Sequence, residues 1–297
     1  MNTSPDTSRS PKIACIGILH HPRKPDSLAL AQEMAEMLRA RGCAAWLDSA
    51  WDELGISDRL AEAPGLDMLI TLGGDGTILR AARLGAFHEL PILGVKMGRL
   101  GFLAEVEPDD WRRPLEQVLS GDYWLERRLM LDVHLCRNSL AADDAGRELH
   151  FQALNEAVVS RGRLARIVQV STWIDGDYLT TFAADGVIVA TPTGSTGYAL
   201  AAGGPILPPE LRNIVVVPIA PHLSLDRAVV LSEGATVKLQ VASDHQVILS
   251  VDGQFDVEVE NGDTVDVSAG VGSANFVRVR PPAYFYRTLM KRLKWNM

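Results

Sequence analysis

Asp67-Met68-Leu69-Ile70-Thr71-Leu72 runs into Gly73-Gly74-Asp75-Gly76-Thr77 and then Ile78-Leu79-Arg80-Ala81-Ala82-Arg83-Leu84. An apolar run, a glycine turn and a segment of helical spacing read as a buried strand turning tightly into a helix. Such a turn presents backbone N–H groups without partners, and the peptide dipoles there favour an anionic phosphate. The carboxylate at its centre sets the loop apart. Asp75 repels phosphate unless it holds a metal ion or takes a proton from an attacking hydroxyl, and both tasks belong to phosphoryl transfer. A plainer reading stands beside this one: a βα turn in which Asp75 caps the helix and the glycines supply positive φ. The loop lacks the Gly-Lys-Ser/Thr ending of a Walker loop and the Gly-x-Gly-x-x-Gly spacing of a dinucleotide oxidoreductase.

Outward from this loop, strands and helices alternate. Ile13 to Leu19, Cys43 to Leu47 and Pro91 to Val95 read as further buried strands. Ser27 is placed to cap a helix running to about Arg41, with Gly42 as its stop, and a second helix is expected over 77–87. Continuous apolar strands separated by helices predict a parallel sheet covered on both faces, with ligands at the carboxyl ends of its strands. From about Leu129 the texture changes to half-buried strands: 151–159, 167–174, 178–182, 187–190, 214–217, 236–241, 247–251, 255–259 and 264–267. Asp175-Gly176, Asp252-Gly253 and Asn261-Gly262 supply the turns. The fold class is therefore an α/β N-terminal domain with a parallel sheet plus a mostly β C-terminal domain. Residues 1–11, polar and rich in Ser, Thr and Pro, are expected to be a disordered tail, 12–127 the first domain and 128–275 the second. Residues 141–146 read as a mobile hairpin tip.

Composition narrows the function. Of 297 residues, 47% are hydrophobic and 22% charged, as in a soluble globular protein. A net charge of −8 argues against an electrostatic grip on nucleic acid, and no apolar stretch is long enough to span a bilayer. Cys15, Cys43 and Cys136 show neither metal spacing nor a disulfide framework, so a reducing cytoplasm is the expected setting. The basic, amphipathic segment Tyr284 to Trp295 reads as a C-terminal helix docked on the protein.

A second loop breaks the pattern of the β half. After the strand at 187–190 comes Thr191-Pro192-Thr193-Gly194-Ser195-Thr196-Gly197-Tyr198. Hydroxyls and exposed N–H groups can hold ribose and phosphate, and Tyr198 can offer an aromatic face to a base. The alternative is a capped helix with Tyr198 in the core. Together with the Asp75 loop, this segment resembles the NAD kinase family. Gly98-Arg99-Leu100-Gly101-Phe102-Leu103, Asn155-Glu156, Pro221-His222 with Ser224, and Asp252-Gly253 match that family's motifs in order, over nearly the whole chain.

The resemblance implies phosphorylation of the adenosine-ribose 2′-hydroxyl of NAD to give NADP. The donor would be ATP or polyphosphate, with a divalent metal ion (Mg²⁺ or Mn²⁺). It also implies an active site between two domains, residues 276–297 rejoining the first domain, and a homodimer or homotetramer. Carried over, Asp75 is the catalytic acid that orients or deprotonates the hydroxyl, Gly74 and Gly76 let backbone approach phosphate, and Thr77 follows them in the loop. Asn155 and Glu156 bind adenine and ribose, Thr193, Thr196, Gly197 and Tyr198 line the nucleoside pocket, and Phe102 packs near the adenine. Asp185 reaches the nicotinamide-side ribose across a subunit interface, and His222 lies near ligand.

Three positions depart from the family. Lys96 replaces the usual asparagine and is free either to approach phosphate or to point to solvent; Gly197 replaces alanine. Ala183 stands where some members carry arginine, so a relaxed preference for oxidised nicotinamide is expected. A lipid kinase sharing the Asp75 chemistry and a non-catalytic NAD(P)-binding sensor are the competing readings.

Overall fold

The computed structural model describes residues 13–49, 65–98, 101–138, 148–162, 166–222 and 225–293. The expected tail, the 141–146 tip, Arg99, Leu100, Ser224 and Trp295 lie outside the described residues. Two compact units divide the chain, one of residues 1–127 with 274–297, the other of residues 128–273.

In the first unit, β1 (Cys15–His20) lies between β2 (Ala44–Ser49) and β3 (Met68–Gly73), and β4 (Ile92–Lys96) follows β3, all parallel. Phe276 returns from the far end of the chain to pair, again parallel, with Ile92. Every residue of β3 is buried, which is why it reads as an unbroken apolar run. Ile16, Ile18, Ile70 and Leu93 pack with Leu30, Met34 and Leu38 of α1 (Pro25–Ala40) and with Leu115 and Val118 of α3 (Arg112–Leu119).

Two helix starts differ from expectation. The first helix begins at Pro25, whose fixed φ suits the first turn. Ser27 is therefore no cap: it is buried inside that turn, accepting the His21 N–H at 2.8 Å and donating to the Leu72 carbonyl at 3.3 Å. The second helix, α2 (Asp75–Phe87), starts two residues early, at the acid itself.

The second unit holds a six-stranded antiparallel sheet. Its strands β7 (Glu156–Arg161), β10 (Gly186–Ala190) and β11 (Asn213–Ile219) pair in the order β11-β10-β7, with β14 (Val247–Val251) and β15 (Phe255–Val259) beyond β7. A second antiparallel set contains β5 (Trp124–Cys136) with β6 (Glu148–Ala153). It also contains β8 (Val168–Ile174), β9 (Asp177–Ala184) and β13 (Val237–Ala242) with the opening residues of β16 (Thr264–Arg278). Side chains from both sets share one core, among them Leu131, Val159, Val170, Phe182, Val189, Leu239 and Leu249. The strand β12 (Val229–Ser232) was not apparent from sequence, and β16 runs well beyond the expected 264–267. The expected strand over 151–159 is broken at Leu154-Asn155, and that break belongs to the site.

Candidate active site

The acidic loop is built to aim a carboxylate. Gly74 occupies the cap of α2, so the capping role open to Asp75 is filled by a residue with no side chain. Asp75 accepts the Phe102 N–H on Oδ2 at 3.2 Å. Its carboxylate lies so close to Gly101 that a β-carbon there would sit 1.7 Å from Oδ1. A β-carbon at Gly74 or Gly76 would meet nothing within 4 Å, which leaves that backbone open to approach. Thr77 is buried beneath Gly73, its N–H bound to the Gly74 carbonyl at 3.0 Å. Phe102 is also buried, its ring 6.2 Å from that of Phe285 in the C-terminal helix α5 (Tyr284–Leu293).

Lys96 is engaged by an acid of its own unit. Its ammonium lies 2.9 and 3.1 Å from the two oxygens of Glu107. Among the described residues, no group of three or more His, Cys, Asp or Glu could hold a metal ion. Magnesium asks for few protein ligands when it arrives on phosphates. Asp75 is the carboxylate of this loop.

In the β unit the centre is Asp252. Its carboxylate accepts the N–H groups of Leu154, Asn155 and Glu156 at 2.9, 2.8 and 3.1 Å. Thr191 closes the other side, donating its hydroxyl to Leu154 O at 2.5 Å and its N–H to Asn155 O at 2.8 Å. These bonds take the backbone groups a continuous strand would have used, so the strand breaks. Asp252 itself has φ of 52° and Gly253 62°, the pair of positive values a tight hairpin turn requires.

The break delivers Asn155 and Glu156 beneath the second glycine loop. Gly194 packs on Asn155 so closely that a β-carbon would stand 2.2 Å from its carbonyl oxygen. Glu156 Oε2 lies 3.3 Å from where a β-carbon of Gly197 would be, and it has no hydrogen-bond partner among the described residues. Burial first, and the Asp252 charge second, push the Glu156 carboxyl up to about 8. It is a neutral acid at pH 7, able to donate as well as accept.

Arg128, also buried, reaches the Thr193 hydroxyl at 3.5 Å, and Thr196 donates its own to Thr193 O at 3.1 Å. Ser195 is structural, bonded to Pro192 O and to the Leu207 N–H. Tyr198 opens the short helix α4 (Tyr198–Ala201) and is 46% exposed, so it is not a core residue.

Asn155, Glu156, Thr193, Thr196, Gly197 and Tyr198 thus come together. Asp185 and His222 do not join them. Asp185 precedes β10 and Thr191 follows it, about 20 Å apart at ~3.3 Å per residue. His222 donates its N–H to Ala183 O at 2.7 Å, which puts it at the Asp185 end. Asp185 pairs with Arg161 at 2.9 and 3.2 Å, so the absence of arginine at 183 does not leave it without a cation.

Sequence reading missed Arg128 and Thr191 as members, and Arg278 with Glu105 and Glu126, which are buried together in the α/β unit. The available signal was charge inside apolar strands, as in Phe276-Val277-Arg278.

This architecture, a glycine-acid loop on a parallel sheet with a hydroxyl-rich pocket in a β unit, is that of a nucleotide-dependent phosphotransferase. Residues 57–123 match the model of the ATP-NAD kinase N-terminal domain, and residues 154–279 that of the ATP-NAD kinase C-terminal domain. An NAD kinase of Dehalococcoides mccartyi (strain CBDB1) is 40% identical over 281 residues, 95% of this chain and 96% of its own. One from Chloroflexus aggregans is 42% identical over 284 residues, 94% and 98% of the two chains. A yeast NADH kinase solved with NADH superposes with a TM-score of 0.81 at 25% identity, covering 99% of this chain and 93% of its own. An Archaeoglobus fulgidus NAD kinase solved with ATP shares the fold with a TM-score of 0.71 at 24% identity, covering 94% and 98%. The chain belongs to the NAD kinase family, and it is an enzyme that transfers a phosphoryl group to NAD.

Proposed function

We propose that Asp75 is the catalytic acid of this reaction and that the pocket around Glu156 holds the adenosine end of NAD. The observation that carries the reading is the placement of the Asp75 carboxylate, relieved of capping by Gly74 and seated on Gly101 and the Phe102 N–H. From there it orients the 2′-hydroxyl and takes its proton as the phosphoryl group arrives. Phosphoryl transfer has a loose transition state, so positioning and charge neutralisation matter more than base strength. Gly74 and Gly76 give the donor's phosphates access to backbone.

The orphaned oxygen of Glu156 fits a ribose hydroxyl or an adenine N–H, and Asn155 supplies an amide beside it. Exposed Tyr198 offers the base its ring. A divalent ion carried on ATP's phosphates would neutralise charge there, with Asp75 its protein ligand. ATP is the donor we favour. The separation of Asp185 from Thr193 supports a homo-oligomer in which Asp185 and His222 serve a neighbouring copy's dinucleotide. Three free cysteines suit a reducing cytoplasm.

NADP formation from NAD, with Mg²⁺ and either ATP or polyphosphate, tests the reading. Asp75→Asn should lower the rate by about 10²–10⁴ while NAD still binds. NAD binding with no turnover in the parent protein would instead establish a sensor.

A further inference from the structure

The α/β unit buries a guanidinium completely. Arg278 is 0% exposed; its Nε donates to Glu126 Oε2 at 2.8 Å and its Nη2 to Glu126 Oε1 at 3.4 Å. Its Nη1 donates to the Leu103 carbonyl at 3.0 Å and to Glu105 Oε2 at 3.3 Å. The second oxygen of Glu105 accepts the N–H groups of Val279 and Arg280 at 3.0 and 2.7 Å. Tyr284 donates its hydroxyl to Glu126 at 2.8 Å, and its ring lies 4.8 Å below the guanidinium.

Stability alone is a poor reason for this cluster. Taking such charges out of water costs several kcal/mol per ion, and well-packed apolar side chains often do as well or better. What the guanidinium offers is a rigid planar fork that fixes several acceptors at once. One of those acceptors is the carbonyl of Leu103. The residue before it, Phe102, donates the N–H that Asp75 accepts, and Gly101 is the surface on which the carboxylate rests. The loop is also fixed downstream, where the N–H groups of Glu105 and Val106 bond to Gly94 O at 2.9 and 3.1 Å. Arg278 therefore holds the stretch between two anchors, one residue from the contact that aims the acid.

We infer that Arg278, gripped by Glu126, is a positioning residue for phosphoryl transfer: it fixes the Gly101–Leu103 backbone and through it the direction of the Asp75 carboxylate. The inference rests on the role proposed for Asp75. It places Arg278 in contact with neither substrate nor donor, so its loss should act on kcat and leave NAD binding alone.

The test uses the full chain and steady-state kinetics with NAD and ATP. Arg278→Lys keeps the charge and loses the fork. It should lower kcat at least tenfold with KM for NAD within about threefold, because a misplacement near 1 Å can cost about 10² in rate. The quadruple variant R278M/E126L/Y284F/E105Q removes the buried charges together, with E105Q keeping an uncharged acceptor for the Val279 and Arg280 N–H groups. It should melt close to the parent and show the same kcat loss, which separates positioning from folding. In the Asp75→Asn background, Arg278→Lys should cost nothing further, since residues acting as one unit are not additive.

Parental kcat in either folded variant, or a full additional loss in the Asp75→Asn background, would overturn the inference. So would KM and kcat worsening together in step with lost thermal stability. Should Asp75→Asn itself run at the parental rate, it is the reading of Asp75 that fails. Should Asp75→Asn be inactive while Arg278→Lys is unimpaired, only the positioning role fails.

Discussion

A carboxyl group that keeps its proton at neutral pH is an unusual thing to find in a hydroxyl-rich pocket. In Glu156 the cause is burial, reinforced by the ionised Asp252 that holds the neighbouring N–H groups. The folded protein binds this proton up to about pH 8, whereas the unfolded chain releases it near 4.5. Between those values the native state holds more protons than the unfolded state, so stability attributable to Glu156 is full below pH 4.5 and declines as pH rises to about 8. Thermal melts of the parent against Glu156→Gln should diverge in that window. The parent should lose at most about 1.4 kcal/mol per pH unit relative to the variant, which keeps a neutral group throughout. Parallel curves would mean that Glu156 is ionised in the folded protein. The same proton makes Glu156 a donor and an acceptor in one group.

At the scale of elements, the pocket depends on a strand that was prevented from continuing. The turn at Asp252-Gly253 gathers three N–H groups that no sheet partner takes. Asp252→Ala would leave them without an acceptor in a buried position, at a cost on the order of 3 kcal/mol from about 1 kcal/mol or more for each. The variant should show a lower denaturation midpoint and weakened NAD binding together. A loss of stability with unchanged affinity would show that the break at Leu154-Asn155 is not what shapes the pocket.

These elements also show what sequence could reveal. The glycine-acid loop was legible because a buried strand, a tight turn and a helix each carry their own periodicity. The hairpins were legible in their Asp-Gly and Asn-Gly turns. The break at 154–155 was not, because Phe151 to Val159 alternates well enough for one strand, and the cause of the break lies almost a hundred residues away at Asp252. Ser27 misled for a related reason: it has the chemistry of a cap, but tertiary partners at His21 and Leu72 claimed its hydroxyl. Arg278 carries no local signal of its role, because Glu105 and Glu126, which surround it, lie more than 150 residues earlier.

At the scale of the whole molecule, the α/β unit is assembled from two distant stretches of chain, residues 1–127 and 274–297. The late stretch brings Phe276 to the side of Ile92, Arg278 to Glu126, and Phe285 to Phe102. A chain stopped after Ser273 should therefore lose more than a helix. Limited proteolysis followed by mass spectrometry should find early cuts within residues 13–127, while residues 128–273 persist as the resistant fragment. Equal resistance in both regions would show that the first unit can complete its core without the returning segment.

That divided construction has a consequence for how the protein comes into being. Translation delivers the acidic loop early and Arg278 late, with the β unit made in between. At ~5–20 residues per second, roughly 8–30 s separate residue 127 from residue 278. Throughout that interval the nascent α/β half carries an open sheet edge at Ile92 and two carboxylates, Glu105 and Glu126, still waiting for their cation. The half made second, continuous in sequence, can close first. An error that ends the chain after residue 273 would then leave a completed β unit beside an α/β unit that never receives Phe276, Arg278 or Phe285, a form open to lasting capture by chaperones and proteases.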